Sequence, residues 1–130
     1  MDEKNNPIVI YTAENGQTQI DVRVADDSVW LNQYQIEKLF DTDRTSVARH
    51  IKNIIRDGEL SEVATCANFT QVQKEGNRQI TRKIKYYNLD MILSVGYRVK
   101  SKTATQFRIW ANKVLKDYLI RGYAIYQNLV

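Results

Sequence analysis

The stretch from Asn32 to Asp57 contains two short amphipathic segments in close succession, and this pairing constrains the fold more than any other feature. Asn32 is a good helix N-cap, and Gln35 stands at the helical position that completes a capping box. Asp43 is a second N-cap, and Gly58 follows the second segment as glycine usually follows a helix end. Because only about four residues separate the two helices, they must fold back on each other. The stretch predicts a helix-turn-helix, whose second helix enters the DNA major groove, or a plain pair of packed helices.

The second segment has distinct polar and apolar sides. Val47, Ile51, Ile54 and Ile55 recur at helical spacing and predict an apolar stripe. Arginine can pair bidentately with guanine, and serine or threonine hydroxyls reach phosphates or base edges. We therefore expect base contacts near the start of this helix and phosphate contacts further along. The candidate DNA-binding residues of the helix are Arg44, Thr45, Ser46, Arg49, His50, Lys52, Asn53 and Arg56.

Two acidic residues depart from the usual helix-turn-helix pattern. Glu37 stands where many such motifs place a small residue, and Asp41 stands where they place glycine at the turn. A bulky acid at the first position would hinder close packing of the helices, and a carboxylate near DNA repels phosphate. A plain helical hairpin with a solvated polar face is therefore the alternative interpretation.

Strand signals precede the helical pair. Ile8–Tyr11 and Thr18–Ala25 are β-branched and partly alternating, and Asn15-Gly16 between them is a typical hairpin turn. Ser28–Leu31 indicates a further short strand after the corner at Asp26-Asp27. The chain is therefore expected to begin with a small antiparallel unit.

A second hairpin is predicted after the helical pair, over Asn68–Tyr87 with its turn at Glu75–Asn77. Its return strand is unusually basic and would suit a wing that lies along the DNA backbone, where each neutralised phosphate steepens the salt dependence of binding. The alternative is a solvated strand edge on which lysine blocks aggregation. The candidate wing residues are Arg78, Arg82, Lys83 and Lys85.

Two further helices are predicted near the end of the chain. Asn88 could cap a short helix over "LDMILSVGY". The last helix begins with Thr103 and Gln106 at capping-box spacing and is expected to end at Arg121-Gly122. Its apolar stripe predicts either core packing or a dimer seam, with Trp110 as the anchor, and consists of Phe107, Trp110, Ala111, Val114, Leu115, Tyr118 and Leu119.

Charge is divided unevenly along the chain. Residues 1–43 hold three basic residues against nine acidic ones, a net of −6, whereas residues 44–130 hold 16 against six, a net of +10. The sign changes inside the second predicted helix. Such asymmetry is typical of a molecule with one side that faces a polyanion, although chance segregation would give the same totals.

Few residues are suited to catalysis or to metal binding. Cys66 and His50 are the only cysteine and the only histidine, so a zinc site within one chain is close to excluded, and no other cofactor is indicated. Cys66 has no evident partner base and is expected to be inert. We therefore expect no enzymatic activity and name no catalytic residues. The chain has neither a membrane-length apolar run nor a signal-peptide pattern, and a cytoplasmic location is expected.

Three quoted segments resemble the RhuM family of bacterial virulence-associated proteins: "VWLNQYQIEKLFDTDRTSVARHIKNI", "YYNLDMILSVGYRVKS" and "TQFRIWANKVLKDYLIRGYAI". The resemblance covers roughly Ile8 to Ile125. The run "FRIWANKVL" is also similar to the end of the Bro-N domains of phage antirepressors. What the resemblance implies is a DNA-binding, regulatory protein of bacterial or mobile-element origin. Members of the family are usually longer, so we expect this chain to be an N-terminal domain.

Together these features predict one α+β domain over residues 1–130, a winged helix-turn-helix-like fold with an N-terminal hairpin, a basic wing and C-terminal helices. The expected function is sequence-dependent binding of double-stranded DNA by a transcriptional regulator, with no membrane and no small-molecule cofactor involved. A homodimer formed through the C-terminal helix is expected, because pairing doubles the DNA site. The alternative is a protein-interaction module, such as an antirepressor or inhibitory domain, that binds no DNA directly.

Overall fold

The computed structural model describes residues 6–128, with side chains described as far as residue 119, and has an α+β fold. A single antiparallel sheet with the strand order β1-β2-β3-β5-β4 forms its centre. The strands in the described range are β1 (Ile8–Thr12), β2 (Gln19–Ala25), β3 (Ser28–Asn32), β4 (Cys66–Glu75) and β5 (Arg78–Asn88). The helices are α1 (Gln33–Phe40), α2 (Arg44–Arg56), α3 (Glu62–Thr65), α4 (Leu89–Arg98) and α5 (Thr103–Asn128).

The N-terminal strands form where the sequence predicts them. The Asn15 side chain accepts hydrogen bonds from the backbone N–H groups of Gln17 and Thr18, at 2.9 and 3.0 Å, and closes the first turn. Asp26 and Asp27 both have positive φ angles, of 49° and 61°, which form the tight corner between β2 and β3. Aspartate tolerates this left-handed conformation better than most residues. Both predicted turns are therefore confirmed.

The β4–β5 hairpin is also confirmed, and the structure shows how it joins the sheet. Only the last three residues of β5 pair with β3, in the register Trp30↔Asn88, Leu31↔Tyr87 and Asn32↔Tyr86. The rest of the hairpin pairs only with itself, from Cys66↔Tyr87 to Glu75↔Arg78. At about 3.3 Å per residue, the eight outer residues of β5 project by about 26 Å beyond the strands that pack on the helices.

Local capping sets the starts of three helices as the sequence predicts. Asn32 and Gln35 form the capping box of α1, and the Asp43 carboxylate accepts from the Ser46 N–H at 2.6 Å. Asn88 caps α4 by accepting from the Met91 N–H at 3.2 Å. Each cap satisfies a backbone donor that the first helical turn leaves unpaired.

Asp41, which weakens the helix-turn-helix pattern in the sequence, has a backbone role. It is the C-cap of α1 in the left-handed conformation, with φ 51° and ψ 53°, and its N–H bonds back to the carbonyls of Glu37 and Lys38. This is the turn geometry that glycine usually supplies, and aspartate is among the residues that can replace glycine there. Glu37 is only partly buried and lines a surface hollow between α1 and the β1–β2 loop.

Two predictions about α5 are wrong. The helix begins at Thr103 itself, whose N–H bonds to the Ser101 hydroxyl at 3.2 Å, so Thr103 is not its N-cap. The helix also continues through Arg121-Gly122 to Asn128. A glycine inside a helix costs about 1 kcal/mol relative to alanine, which weakens a helix but does not end it. The short helix α3 was not predicted, because four residues are too few for a periodic signal.

The hydrophobic core lies on both faces of the sheet but very unequally. The larger cluster joins one face to α1, α2, α4 and the first turns of α5, with Val22, Leu31, Ile36, Ile54 and Phe107 almost fully buried. On the other face a small aromatic cluster consists of Ala25, Trp30, Phe69 and Tyr86. Within the described part of the chain, no helix has the length and apolar character needed to cross a membrane.

Candidate nucleic-acid interface

The outward side of α2 carries a continuous polar stripe. Thr45, Arg49, Lys52 and Arg56 are all exposed, and their spacing of four, three and four residues places them along one side of the helix. The opposite side buries Val47, Ile51 and Ile54, as the sequence predicts. The helix therefore presents three cations and a hydroxyl to solvent from a firmly packed support.

The start of α2 is fixed by polar contacts from both sides of the turn. The Asp43 cap bonds to the Ser46 N–H, and the Gln33 side chain of α1 donates to the Arg44 carbonyl at 3.4 Å. Arg44 is exposed, whereas Ser46 is partly buried. The turn thus sets the direction in which the first residues of α2 face the solvent.

Three of the predicted contact residues lie on the flank of α2 and not on its outer stripe. Ser46, His50 and Asn53 are partly buried. Burial lowers the pKa of His50, and the neighbouring charges of Arg49 and Arg98 lower it further. The imidazole is therefore neutral near pH 7 and adds no positive charge to the helix surface.

The predicted wing residues divide between the two sides of the β4–β5 hairpin. Because side chains alternate along a strand, Lys83 and Lys85 share the side of Tyr87, which belongs to the main core beside the helices. Arg78 and Arg82 share the opposite side. The four cations, which are close together along the strand, therefore lie two on each side of the hairpin.

A surface hollow of about 260 Å³ brings α2 and the base of the hairpin together. Ala48, Lys52 and Ile55 line it from α2, while Lys85 and Tyr87 line it from β5. Two ammonium groups on separate elements thus border one concave surface. The arrangement can accept an anionic chain that passes between the helix and the hairpin.

Carboxylates already neutralise several of these cations. Arg82 Nη2 lies 2.9 Å from Glu75 Oε1, Lys85 Nζ lies 3.7 Å from Glu62 Oε1, and Arg56 Nε lies 3.4 Å from Asp57 Oδ1. The side chains of all three pairs are about half exposed or more. Each pair therefore stabilises the fold by at most about 1 kcal/mol and opens readily. Carboxylates border both ends of α2, with Asp41 and Asp43 before its start and Asp57 after its end.

Lys74 and Gln33 belong to the same surface although the sequence did not single them out. Lys74 pairs with Gln79 and so lies on the hairpin side that also carries Lys83. The two-residue turn at Gly76-Asn77 fixes this register. The position of that turn is therefore the sequence signal that could have assigned Lys74 to this side of the hairpin. The sequence does not indicate that Gln33 lines the hollow, because its position there depends on how α1 packs against α2.

Cys66 lies at the edge of the same hollow. Burial raises the pKa of its thiol, and this rise is only partly offset by a hydrogen bond with the Thr65 hydroxyl and by the charge of Lys85. The thiol is therefore protonated at neutral pH and a weak nucleophile. Among the side chains that the structure describes, no three His, Cys, Asp or Glu residues converge as a metal site would require.

Comparison with protein families gives one match. The family model described as the virulence protein RhuM family matches residues 64–130, just over half of the chain. The chain belongs to the RhuM family. No curated protein and no solved structure matches it.

The RhuM match covers only part of the interface described above. It begins inside α3 and takes in β4, β5, α4 and α5, so it includes the hairpin cations. Helices α1 and α2 precede it. The case for α2 as a contact surface therefore depends on geometry and charge and not on the family match.

Proposed function

We propose that this chain binds double-stranded DNA as a winged helix-turn-helix, with α2 in the major groove and the β4–β5 hairpin along the phosphate backbone. The observation that carries the proposal is the exposed stripe of Thr45, Arg49, Lys52 and Arg56, set beside Lys85 across one shared hollow. A regulator that selects its site by base contacts fits this arrangement. No catalytic step is part of the proposal.

The dimensions of the elements suit a duplex. An α-helix with its side chains is about 10–12 Å across, and the major groove of B-DNA is about 12 Å wide. Thr45 and Arg49 lie in the first half of α2, the end that reads base edges in helix-turn-helix proteins. Lys52 lies one turn further along, next to the hairpin, where a phosphate contact is expected.

The hairpin supplies a second line of charge. Lys74, Lys83 and Lys85 share its helix-facing side, and the strand projects far enough to follow the backbone away from α2. Arg78 and Arg82 on the other side would contribute mainly through the long-range field. Glu62 and Glu75 would be displaced by phosphate, which is a stronger and more highly charged acceptor.

The proposal is tested by a salt series of duplex binding, measured by fluorescence anisotropy. The double variant Arg49→Ala/Lys52→Ala is compared with Arg108→Ala/Lys113→Ala, which removes the same charge from exposed positions on α5. We expect the α2 variant to weaken binding by at least about tenfold and to reduce the log–log salt slope by about 1 to 2. The α5 variant should bind like the native chain.

Site selection from random duplexes then separates the roles of the two α2 residues. Arg49→Ala should relax the preference at one or two base positions, whereas Lys52→Ala should weaken all sequences equally. If the native chain fails to bind any duplex at about 50 mM salt, DNA binding is excluded, since nonspecific affinity is measurable there. The basic surface would then be left to an acidic protein partner. Equal losses in the two double variants would exclude α2 as the contact helix.

A further inference from the structure

β1 forms one edge of the sheet, and no strand among the described residues pairs with its outer side. The Val24 N–H bonds to the Pro7 carbonyl at 2.9 Å, and the Ala13 N–H bonds to the Thr18 carbonyl at 2.9 Å. In an antiparallel pair the hydrogen-bonded residues alternate, so Val9 and Tyr11 also bond inward to β2. The N–H and C=O groups of Ile8, Ile10 and Thr12 therefore face away from the sheet.

This edge is short and follows Pro7, but it lacks charge, a feature that commonly prevents strands from pairing. Ile8–Thr12 contains no charged residue, and Ile8 and Ile10 are 50% and 55% exposed. The opposite edge, β4, ends in Lys74 and Glu75 and is mostly polar beyond Phe69. Natural sheets commonly guard an edge with charge, and only the second edge is guarded in this way.

The C-terminal helix is less suited to be a dimer seam than its sequence predicts. Phe107 and Ala111 of the apolar stripe are fully buried within their own domain, and Trp110 packs on Tyr11 with ring centroids 5.1 Å apart. Ile109, which is outside that stripe, and Leu119, its last member, are exposed at 61% and 63%. The helix therefore uses most of the described part of its stripe to cover the core.

We propose that a second copy of this chain pairs with β1, antiparallel and across a two-fold axis through Ile10. Ile10 then lies opposite Ile10 of the second copy, and Ile8 opposite Thr12, so that all three outward-facing residues exchange hydrogen bonds. Three such pairs form about six backbone hydrogen bonds and cover the exposed isoleucines of both copies. The two five-stranded sheets become one continuous sheet.

The occupant is a second copy because the edge is complementary to itself. An uncharged strand with apolar side chains on one face requires a partner strand of the same kind, and a symmetric pair provides it. Among the described strand residues, the acid next to Ile10 on that face is Asp21 of β2. The two copies of Asp21 would lie about 14 Å apart, three strand spacings, where salt screens most of their repulsion. The inference does not depend on DNA binding.

The mass of the native chain in solution gives the first test, by analytical ultracentrifugation over a range of concentrations. The native chain should form a dimer, and Ile10→Lys should leave it monomeric because two lysines would meet at the axis. Val72→Lys is the matched control: Val72 is 54% exposed on the other hairpin, and its variant should still dimerise. Circular dichroism confirms that each variant is folded. A native chain that stays monomeric up to about 1 mM overturns the proposal.

Cross-linking then tests the register, in a Cys66→Ser background that removes the native thiol. Hydrogen-bonded antiparallel partners have Cα atoms about 5.5 Å apart, a distance that a disulfide spans. Ile10→Cys should therefore form a linked dimer on mild oxidation, whereas Ile8→Cys should not, because those positions would lie about 14 Å apart. Equal linking of both variants contradicts the two-fold register. Dissociation by Ile109→Lys without dissociation by Ile10→Lys assigns the interface to α5 and overturns the proposal.

Discussion

The two hairpins of this chain have the same antiparallel pairing and opposite surroundings. The β1–β2 hairpin buries one face against the helices, and Tyr11, Ile20 and Val22 are part of the main core. The β4–β5 hairpin touches that core only at its base, and beyond Phe69 nearly all of its residues are exposed or partly exposed. The two hairpins therefore share their strand pairing but differ in how much apolar surface they bury.

The difference explains how the sequence distributes its charges. A strand face that packs on helices tolerates no unpaired charge, since burying one costs several kcal/mol. A hairpin that is exposed to solvent on both faces can carry cations without this desolvation cost. Its strand β5 carries Arg78, Arg82, Lys83 and Lys85. The first hairpin is thus built for stability, and the second is free to serve as a contact surface.

The largest effect that separates the hairpins is expected from truncating Tyr11. Its ring packs edge-on against Phe107 at 5.2 Å and Trp110 at 5.1 Å. Tyr11→Ala should reduce the free energy of unfolding by about 3–5 kcal/mol, whereas Val72→Ala on the second hairpin should change it by less than about 0.5 kcal/mol. Urea unfolding followed by circular dichroism measures both. Similar losses in the two variants would show that the second hairpin is as tightly packed as the first.

A smaller effect is expected where the two hairpins meet. The guanidinium of Arg23 on β2 lies 4.6 Å from the ring centroid of Phe69 and 5.0 Å from that of Tyr86, both on the second hairpin. Arg23 is 8% exposed, so this cation–π contact is largely desolvated. Arg23→Lys should cost about 1–2 kcal/mol, because lysine lacks the planar group that stacks on the rings.

A double-mutant cycle with Phe69→Leu shows whether this contact couples the hairpins. The coupling energy should be about 0.5–2 kcal/mol, since the two side chains touch directly. Arg82→Lys, on the exposed part of β5, serves as the control and should change stability little. Additive losses of Arg23→Lys and Phe69→Leu would mean that the two hairpins are stabilised separately.

Features set by neighbouring residues were predictable from the sequence. The caps Asn32, Asp43 and Asn88, the turn at Asn15-Gly16 and the apolar stripe of α2 all depend on short-range chemistry. The roles of Asp26 and Asp41 are also local, but they depend on φ angles that the residue type permits and does not impose. The sequence alone therefore does not show that Asp41 adopts the left-handed conformation that glycine usually supplies at such a turn.

Features set by distant residues could not be predicted. The pairing of β3 with β5 joins segments more than 50 residues apart, and no local signal announces it. The continuation of α5 past Gly122 was also missed, because one glycine costs a helix only about 1 kcal/mol and does not by itself end it. For the interface, only the fold separated the outer stripe of α2 from its flank and showed which side of the hairpin lies towards the helices.

The smallest effect is expected at the outer end of the second hairpin, where Arg82 Nη2 and Glu75 Oε1 lie 2.9 Å apart. Both side chains are about half exposed, at 54% and 53%, so water and salt screen their attraction. Glu75→Gln should lower the free energy of unfolding by less than about 1 kcal/mol at low salt, and by nothing measurable at about 1 M salt, where the Debye length falls to about 3 Å. Unfolding curves at the two salt concentrations measure this difference. A larger loss of unfolding free energy that persists in high salt would mean that this ion pair is shielded from solvent. The second hairpin would then resemble the packed first hairpin more closely than its exposure indicates.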